Sequence, residues 1–265
     1  MKKMNLIKLV PALAAGLSVF SSLNIQAAFI PLGRTNYFQN FDSLVSSGKS
    51  KTLPSGWSAF YPGNMNGYIY ADNGSSSQGH IYSYGSSGSS ERALGALYDP
   101  SQGSQTPIFG ANFQNTGSRS ISRLNISYTG EEWRLGAQGR GPGELEFQYS
   151  LNAGSLTSGS WVNAPQLNFL TPNLTGVGAH NGDLAANQTQ LSGSIGFLNI
   201  PVGATFWVRW VDLAVGRGPQ DGLAIDNFSI SAVPEASTWA AACAATGLLG
   251  LALWRRRGSL RLNFA

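Results

Sequence analysis

The sequence predicts an all-β protein: a single β-sandwich or jelly-roll domain, flanked by an N-terminal signal peptide and a C-terminal transmembrane helix. Three observations lead there. Residues 28–232 are rich in Gly, Ser and Asn and poor in charge. They contain no long stretch with apolar residues at helical spacing. Their apolar residues instead alternate with polar ones in short runs bounded by turn formers.

In chain order, Lys2, Lys3 and Lys8 form a basic start and residues 9–20 an apolar run. Asn24-Ile-Gln-Ala-Ala28 then offers small residues to a peptidase. This is the pattern of a secretory signal over residues 1–27, cut after Ala27 or Ala28; an uncleaved anchor is the alternative. The clearest strand signal is 144–151, where Leu145, Phe147, Tyr149 and Leu151 alternate with Glu144, Glu146, Gln148 and Ser150. Leu124, Ile126 and Tyr128 alternate in the same way with Arg123, Asn125 and Ser127. The run 204–213 is apolar on both faces, as a central strand covered on two sides requires. In 223–230 the apolar phase shifts at Asp226-Asn227, which predicts a β-bulge. Shorter strands are expected at 36–44, 68–71, 81–84, 93–98, 110–115, 161–163 and 193–200.

The tail at 233–257 has three parts: a short box opened by Val233, Pro234 and Glu235, an apolar run at 239–254, and Arg255, Arg256 and Arg257. Apolar residues followed at once by arginines describe a membrane segment whose basic end stays in the cytoplasm, with 258–265 as a cytoplasmic extension. This order resembles the PEP-CTERM sorting tail of exported Gram-negative proteins. The resemblance implies recognition and cutting by an exosortase-like membrane enzyme, after passage through the Sec machinery and signal peptidase. Ala236 stands where the family usually has a second proline.

The two ends also explain the charge. The whole chain is +4, but seven of its 17 basic residues lie in the signal and tail. Between 28 and 232, ten basic residues face twelve acidic ones with no basic stripe, so no nucleic-acid partner is expected. The one cysteine, Cys243, lies in the apolar run, which leaves the body without a disulfide or a thiolate site. Blocks such as Asn125-Ile-Ser-Tyr-Thr-Gly-Glu-Glu-Trp-Arg-Leu-Gly136 and Asp221-Gly-Leu-Ala-Ile-Asp-Asn-Phe228 resemble recurring segments of exported bacterial domains. That resemblance implies one β-sandwich and no particular chemistry.

No enzyme is predicted and no catalytic residue is assigned. His80 and His180 read as solvated loop histidines, and no Gly-x-Ser-x-Gly elbow occurs in the body. Glu131-Glu132 and Glu144/Glu146 are carboxylate pairs of the kind a glycosidase needs, but alternation places Glu144 and Glu146 on an ordinary outer strand face. Asp212, Asp221 and Asp226 would supply oxygens to a structural calcium if their strands are neighbours. The preferred reading makes Asp221-Gly222 a turn and Asp226 a partner of backbone donors at the bulge, with no cofactor. Among the aromatics, Trp133 with Arg134 and Tyr128, and the pair Tyr82/Tyr84, are the candidate platform for a glycan. The weaker-than-average case for chemistry leaves three functions in order: a structural matrix protein of the cell surface or biofilm held in exopolysaccharide, a carbohydrate-binding module, and a secreted hydrolase.

Overall fold

The computed structural model describes residues 28–62, 66–102 and 106–234. The signal peptide and Ala27, the membrane run, and Glu235, Arg255, Arg256 and Arg257 lie outside the described residues. Among those described, no helix is long and apolar enough to cross a membrane.

In chain order the strands are β1 (Ile30–Leu32), β2 (Tyr37–Gln39), β3 (Lys49–Ser50), β4 (Trp57–Phe60), β5 (Ile69–Asp72), β6 (His80–Tyr84), β7 (Ala93–Leu97) and β8 (Ile108–Asn115). They continue as β9 (Ile121–Leu135), β10 (Glu144–Ser150), β11 (Val162–Asn163), β12 (Phe169–Leu170), β13 (Gly178–Ala179), β14 (Gln188–Ile195), β15 (Thr205–Leu213) and β16 (Gly222–Pro234). One sheet runs β1-β8-β15-β10-β11, with β4 also on β8 and β12 on β10. The other runs β13-β9-β16-β7-β6-β5-β3, with β14 on β9 and β2 on β16. The pairings are antiparallel except β1 with β8 and β5 with β6.

The alternation explains how the sheets pack. Leu124, Ile126 and Tyr128 of β9 and Leu145 and Phe147 of β10 all point into one shared core, from opposite sheets. Central strand β15 is apolar on both faces because it serves two clusters. Phe206, Val208 and Trp210 enter the main core, whereas Trp207 packs with Ala153 and Leu156 on the other face. The bulge forms where the phase shift requires it: the β16–β9 register slips between Asp226 and Ser229, and Asn227 takes a positive φ of 50°. Leu223, Ile225, Phe228 and Ile230 are thereby all buried. Three strand limits differ from expectation. β14 lies earlier than the 193–200 run, β2 is far shorter than 36–44, and β16 continues to Pro234, so Val233 and Pro234 pair with β9.

Connections at one end of the sandwich converge on Asp221. Arg140 Nη2 lies 2.5 Å from its Oδ1, with both side chains buried. The same carboxylate accepts from Gly136 N (2.7 Å), Gly143 N (3.0 Å) and Thr171 Oγ1 (2.7 Å). These donors tie the β9–β10 and β15–β16 connections to the segment after β12. Asp221 is thus committed to protein donors, while Asp226 sits at the bulge, its Oδ2 accepting from Asn227 Nδ2. Hydrogen-bond donors already occupy the oxygens of Asp221, and the acidic oxygens that converge among the described residues are those of Glu91, Glu131 and Asp183 instead.

Removing one partner of a buried pair strands the other charge, so Asp221→Ala should cost about 3–5 kcal/mol in urea unfolding. Asp212 tests burial alone. It is 2 % exposed, its Oδ2 has no donor, and burial pushes its carboxyl well above the ordinary value against a backbone hydrogen bond from Tyr98. The unfolded chain releases this proton at lower pH than the folded one, so stability falls as pH rises above the unfolded value. Asp212→Asn should therefore flatten the dependence of the urea midpoint on pH and gain most over the parent near pH 8. A pH slope equal to the parent's would contradict it.

Candidate functional site

The expected aromatic platform is not on the surface. Trp133, Tyr128, Tyr82 and Tyr84 are at most 1 % exposed. Tyr128 faces the core between the sheets and its hydroxyl donates to the Leu167 carbonyl. Trp133 stacks on Tyr84 at 5.9 Å on the opposite face of its sheet, where the connection between β13 and β14 covers it. Gly182 of that connection is so close that a Cβ there would lie 2.4 Å from the indole. Arg134 is held by the carbonyls of Gly74 (3.0 Å) and Ser75 (3.2 Å). Burial leaves no aromatic face here for a sugar ring.

The same cover changes the reading of the charged residues. His180 is not a solvated loop residue: its Nδ1 lies 2.9 Å from Oε1 of buried Glu132, which also accepts from Asn173 N (2.9 Å). Burial raises the Glu132 carboxyl, opposed by Asn173 and His180. Glu131 and Glu132 are both buried, on opposite faces of β9. Glu144 and Glu146 are half-buried on the outer face of β10, bound to Asn168 and Asn163. His80 belongs to β6 and stacks on Tyr70 with centroids 4.3 Å apart; burial lowers its pKa, against an opposing effect of Asp99.

A different place has the form of a binding site. An open cleft of about 850 Å³ lies between residues 51–62 and residues 67–69, with Ile81 in its wall. Its floor includes Trp57, 5 % exposed, whose Nε1 donates to Tyr37 Oη at 2.9 Å. That bond satisfies the indole's polar edge and fixes the ring. Phe60, 40 % exposed, and half-buried Tyr68 add aromatic surface, and Thr52, Ser55 and Ser58 add hydroxyls. Lys49 Nζ and Lys51 Nζ lie 4.3 and 4.8 Å from the centre of the Tyr68 ring, in cation–π range. Neither lysine has a carboxylate within 4.0 Å among the described residues. The Lys-x-Lys and Tyr-x-Tyr spacings at 49/51 and 68/70 are period-two signals that place like side chains on one face.

No family model matches the sequence, and no curated protein matches it. Solved structures with a similar arrangement of strands include the K2 adhesin domain of Lys-gingipain, at 10 % identity and TM-score 0.41, covering 75 % of this chain and 99 % of that one. The K3 adhesin domain of Lys-gingipain from Porphyromonas gingivalis W83 is similar at 11 % identity and TM-score 0.39, covering 74 % and 98 %. A family 35 carbohydrate-binding module from Clostridium thermocellum is similar at 10 % identity and TM-score 0.31, covering 74 % and 97 %. These are distant likenesses of strand arrangement, and the functional argument rests on the chain's own residues.

Proposed function

We propose that the chain is an exported surface module that binds polysaccharide in the cleft around Trp57 and Tyr68. The observation that carries this reading is the cleft's composition: aromatic surface, hydroxyls and a lysine around one open space of suitable size. A sugar ring offers apolar C–H faces to an aromatic side chain and hydroxyls along its edge. The two unpaired ammonium groups favour a chain bearing carboxylates, such as one containing uronic acids. No Asp, Glu or His lines the cleft among the described residues, so it supplies contacts for binding but not the carboxyl pair that glycoside hydrolysis uses. This favours a carbohydrate-binding module over a hydrolase, and it gives a matrix protein a means of staying in exopolysaccharide.

The address belongs to the same proposal. A signal cut at Ala27 or Ala28 takes the chain through the Sec machinery. Val233, Pro234 and Glu235 present the box to an exosortase-like enzyme, and Arg255, Arg256 and Arg257 orient the membrane run. The destination is the outer surface or extracellular matrix of a Gram-negative bacterium.

On an immobilised glycan panel, the purified chain should bind uronate-containing polysaccharide saturably. Tyr68→Ala should weaken binding roughly tenfold, the size expected of a central contact, and Lys51→Ala should erase the preference for acidic over neutral chains. Trp57→Ala should instead cost about 3–5 kcal/mol of stability. Absence of saturable binding, or binding indifferent to Tyr68→Ala, would sink the proposal. Processing is read separately, by intact mass of cell-associated and secreted forms. Loss of both ends is expected, whereas a membrane-bound form retaining residues 235–265 would make the tail an anchor.

A further inference from the structure

Four carboxylates meet on the outer face of the second sheet, and among the described residues no basic side chain forms an ion pair with them, although the Arg92 charge is felt by Glu91 and Asp183. Glu131 on β9 and Asp226 on β16 share that face. Glu131 pairs across with Ala224, two residues from Asp226. Glu91 comes from the approach to β7, and Asp183 from the β13–β14 connection that covers Trp133. Carboxylate oxygens of Glu91, Glu131 and Asp183 lie within 4.8 Å of one another, and the Asp226 carboxyl meets that of Glu91. None of the four has a Lys, Arg or His nitrogen within 4.0 Å among the described residues. The nearby Arg92 guanidinium is spent on Ser83 Oγ (2.9 Å) and the Ser83 carbonyl.

The cluster also contains oxygens with nothing to bond. Asp226 is 3 % exposed, and its Oδ1 has no donor; nor has Glu91 Oε2. A buried acceptor without a donor is costly, and here each faces another acceptor. Burial, then repulsion from Asp226 and Asp183, pushes the Glu131 carboxyl up to about 8 against the hydrogen bond from Trp133. The remaining partners are neutral: Trp133 Nε1 donates to Glu131 Oε2 (3.0 Å), Gln188 Nε2 to Glu131 Oε1 (3.5 Å), Ser86 Oγ to Asp183 Oδ2 (3.1 Å) and Asn227 Nδ2 to Asp226 Oδ2.

We propose that Glu91, Glu131, Asp183 and Asp226 bind a divalent cation, with calcium as the ion. Calcium takes about six to eight oxygens in flexible geometry, and four carboxylates plus water can supply them; magnesium demands a stricter octahedron and keeps its waters. The ion would join the connection that seals Trp133 to strands β9 and β16 and to the start of β7. It thus cross-links elements 91 to 226 in a body that has no cysteine. The site is separate from the cleft and does not depend on the glycan reading.

The Trp133 indole beside Glu131 supplies a direct reporter. Chelator-stripped full-length protein is titrated with calcium chloride by calorimetry, and with terbium by tryptophan-sensitised luminescence. One ion per chain is expected, with calcium displacing terbium. Tm should rise by about 5–10 °C when free calcium is about a hundredfold above Kd. Glu91→Gln and Asp226→Asn should each weaken binding at least about tenfold by removing a ligand that is anionic when it holds the ion, yet match or exceed the parent's Tm without calcium, because each replaces a carboxyl whose ionisation burial and its acidic neighbours oppose. Asp183→Asn, at an exposed position, gives the same readout with little risk to folding. Failure of the parent to bind calcium up to about 10 mM, which exceeds the range of extracellular modules, would overturn the proposal. So would equal affinity in the parent and all three variants.

Discussion

The packing of Trp210 between the two sheets is the constraint on which the rest of the structure depends. Its ring lies 5.1–6.0 Å from those of Trp57, Phe109, Tyr128, Phe147 and Phe228. These come from β4, β8, β9, β10 and β16, so both sheets must form before the cluster closes. Three of the five contacts are near-perpendicular edge-to-face pairs, the arrangement that the aromatic quadrupole favours. Trp57 belongs both to this cluster and to the cleft floor. The shape of the cleft is therefore fixed by core packing, and its floor does not have to be ordered by a ligand.

How much of this was legible depended on whether the cause was local. Strands β10 and β15 and the bulge at Asp226-Asn227 were readable because alternation is a property of neighbouring residues. The burial of Trp133, Tyr82 and Tyr84 was not, since it comes from a connection some fifty residues further on in the case of Trp133. That connection has no apolar period and covers the sheet through Gly182 and the contacts of His180 with the Trp133 carbonyl and Glu132. A polar, glycine-rich segment reads as solvated loop whether it points to water or lies on a sheet. His180 departs from expectation for the same reason: its pairing with Glu132 is a tertiary event between two stretches that each look hydrophilic. The cleft is hidden in the sequence for a different reason: Lys49, Lys51, Tyr68 and Tyr70 carry its signal in two short runs that are each too weak to stand out separately.

The buried carboxylates show how one protein treats similar groups in different ways. Asp221 is surrounded by two backbone N–H groups, a hydroxyl and a guanidinium. Glu132 has an imidazole and a backbone donor. The donors of Asp221 recover hydrogen bonds lost on leaving water, whereas at Glu132 the backbone donor serves Oε2 and the imidazole lies beside an Oε1 that has no hydrogen bond. Glu91 and Asp226 lack such compensation, although the sheet and its covering connection bring them together. A sequence that supplies donors so fully to Asp221, and a backbone donor and an imidazole neighbour to Glu132, leaves the other pair conspicuous. Their setting suits a ligand with positive charge and open coordination better than it suits further protein contacts.

The lysines beside the cleft admit a plainer reading. Lys49 lies on β3, a two-residue strand at the edge of its sheet, and lysines on short edge strands commonly prevent pairing with another chain. That role needs only a charge directed at solvent. Here both ammonium groups are instead drawn over the ring of Tyr68, a residue that also lines the cleft. Edge protection does not account for that convergence, and it is compatible with it: the charge that keeps another strand away is also the one proposed to select an acidic chain. The outer face of the second sheet is closed over Trp133, whereas the edge at β3 and β5 remains open beside an aromatic cleft. The recognition proposed at that edge uses surface that the fold leaves accessible.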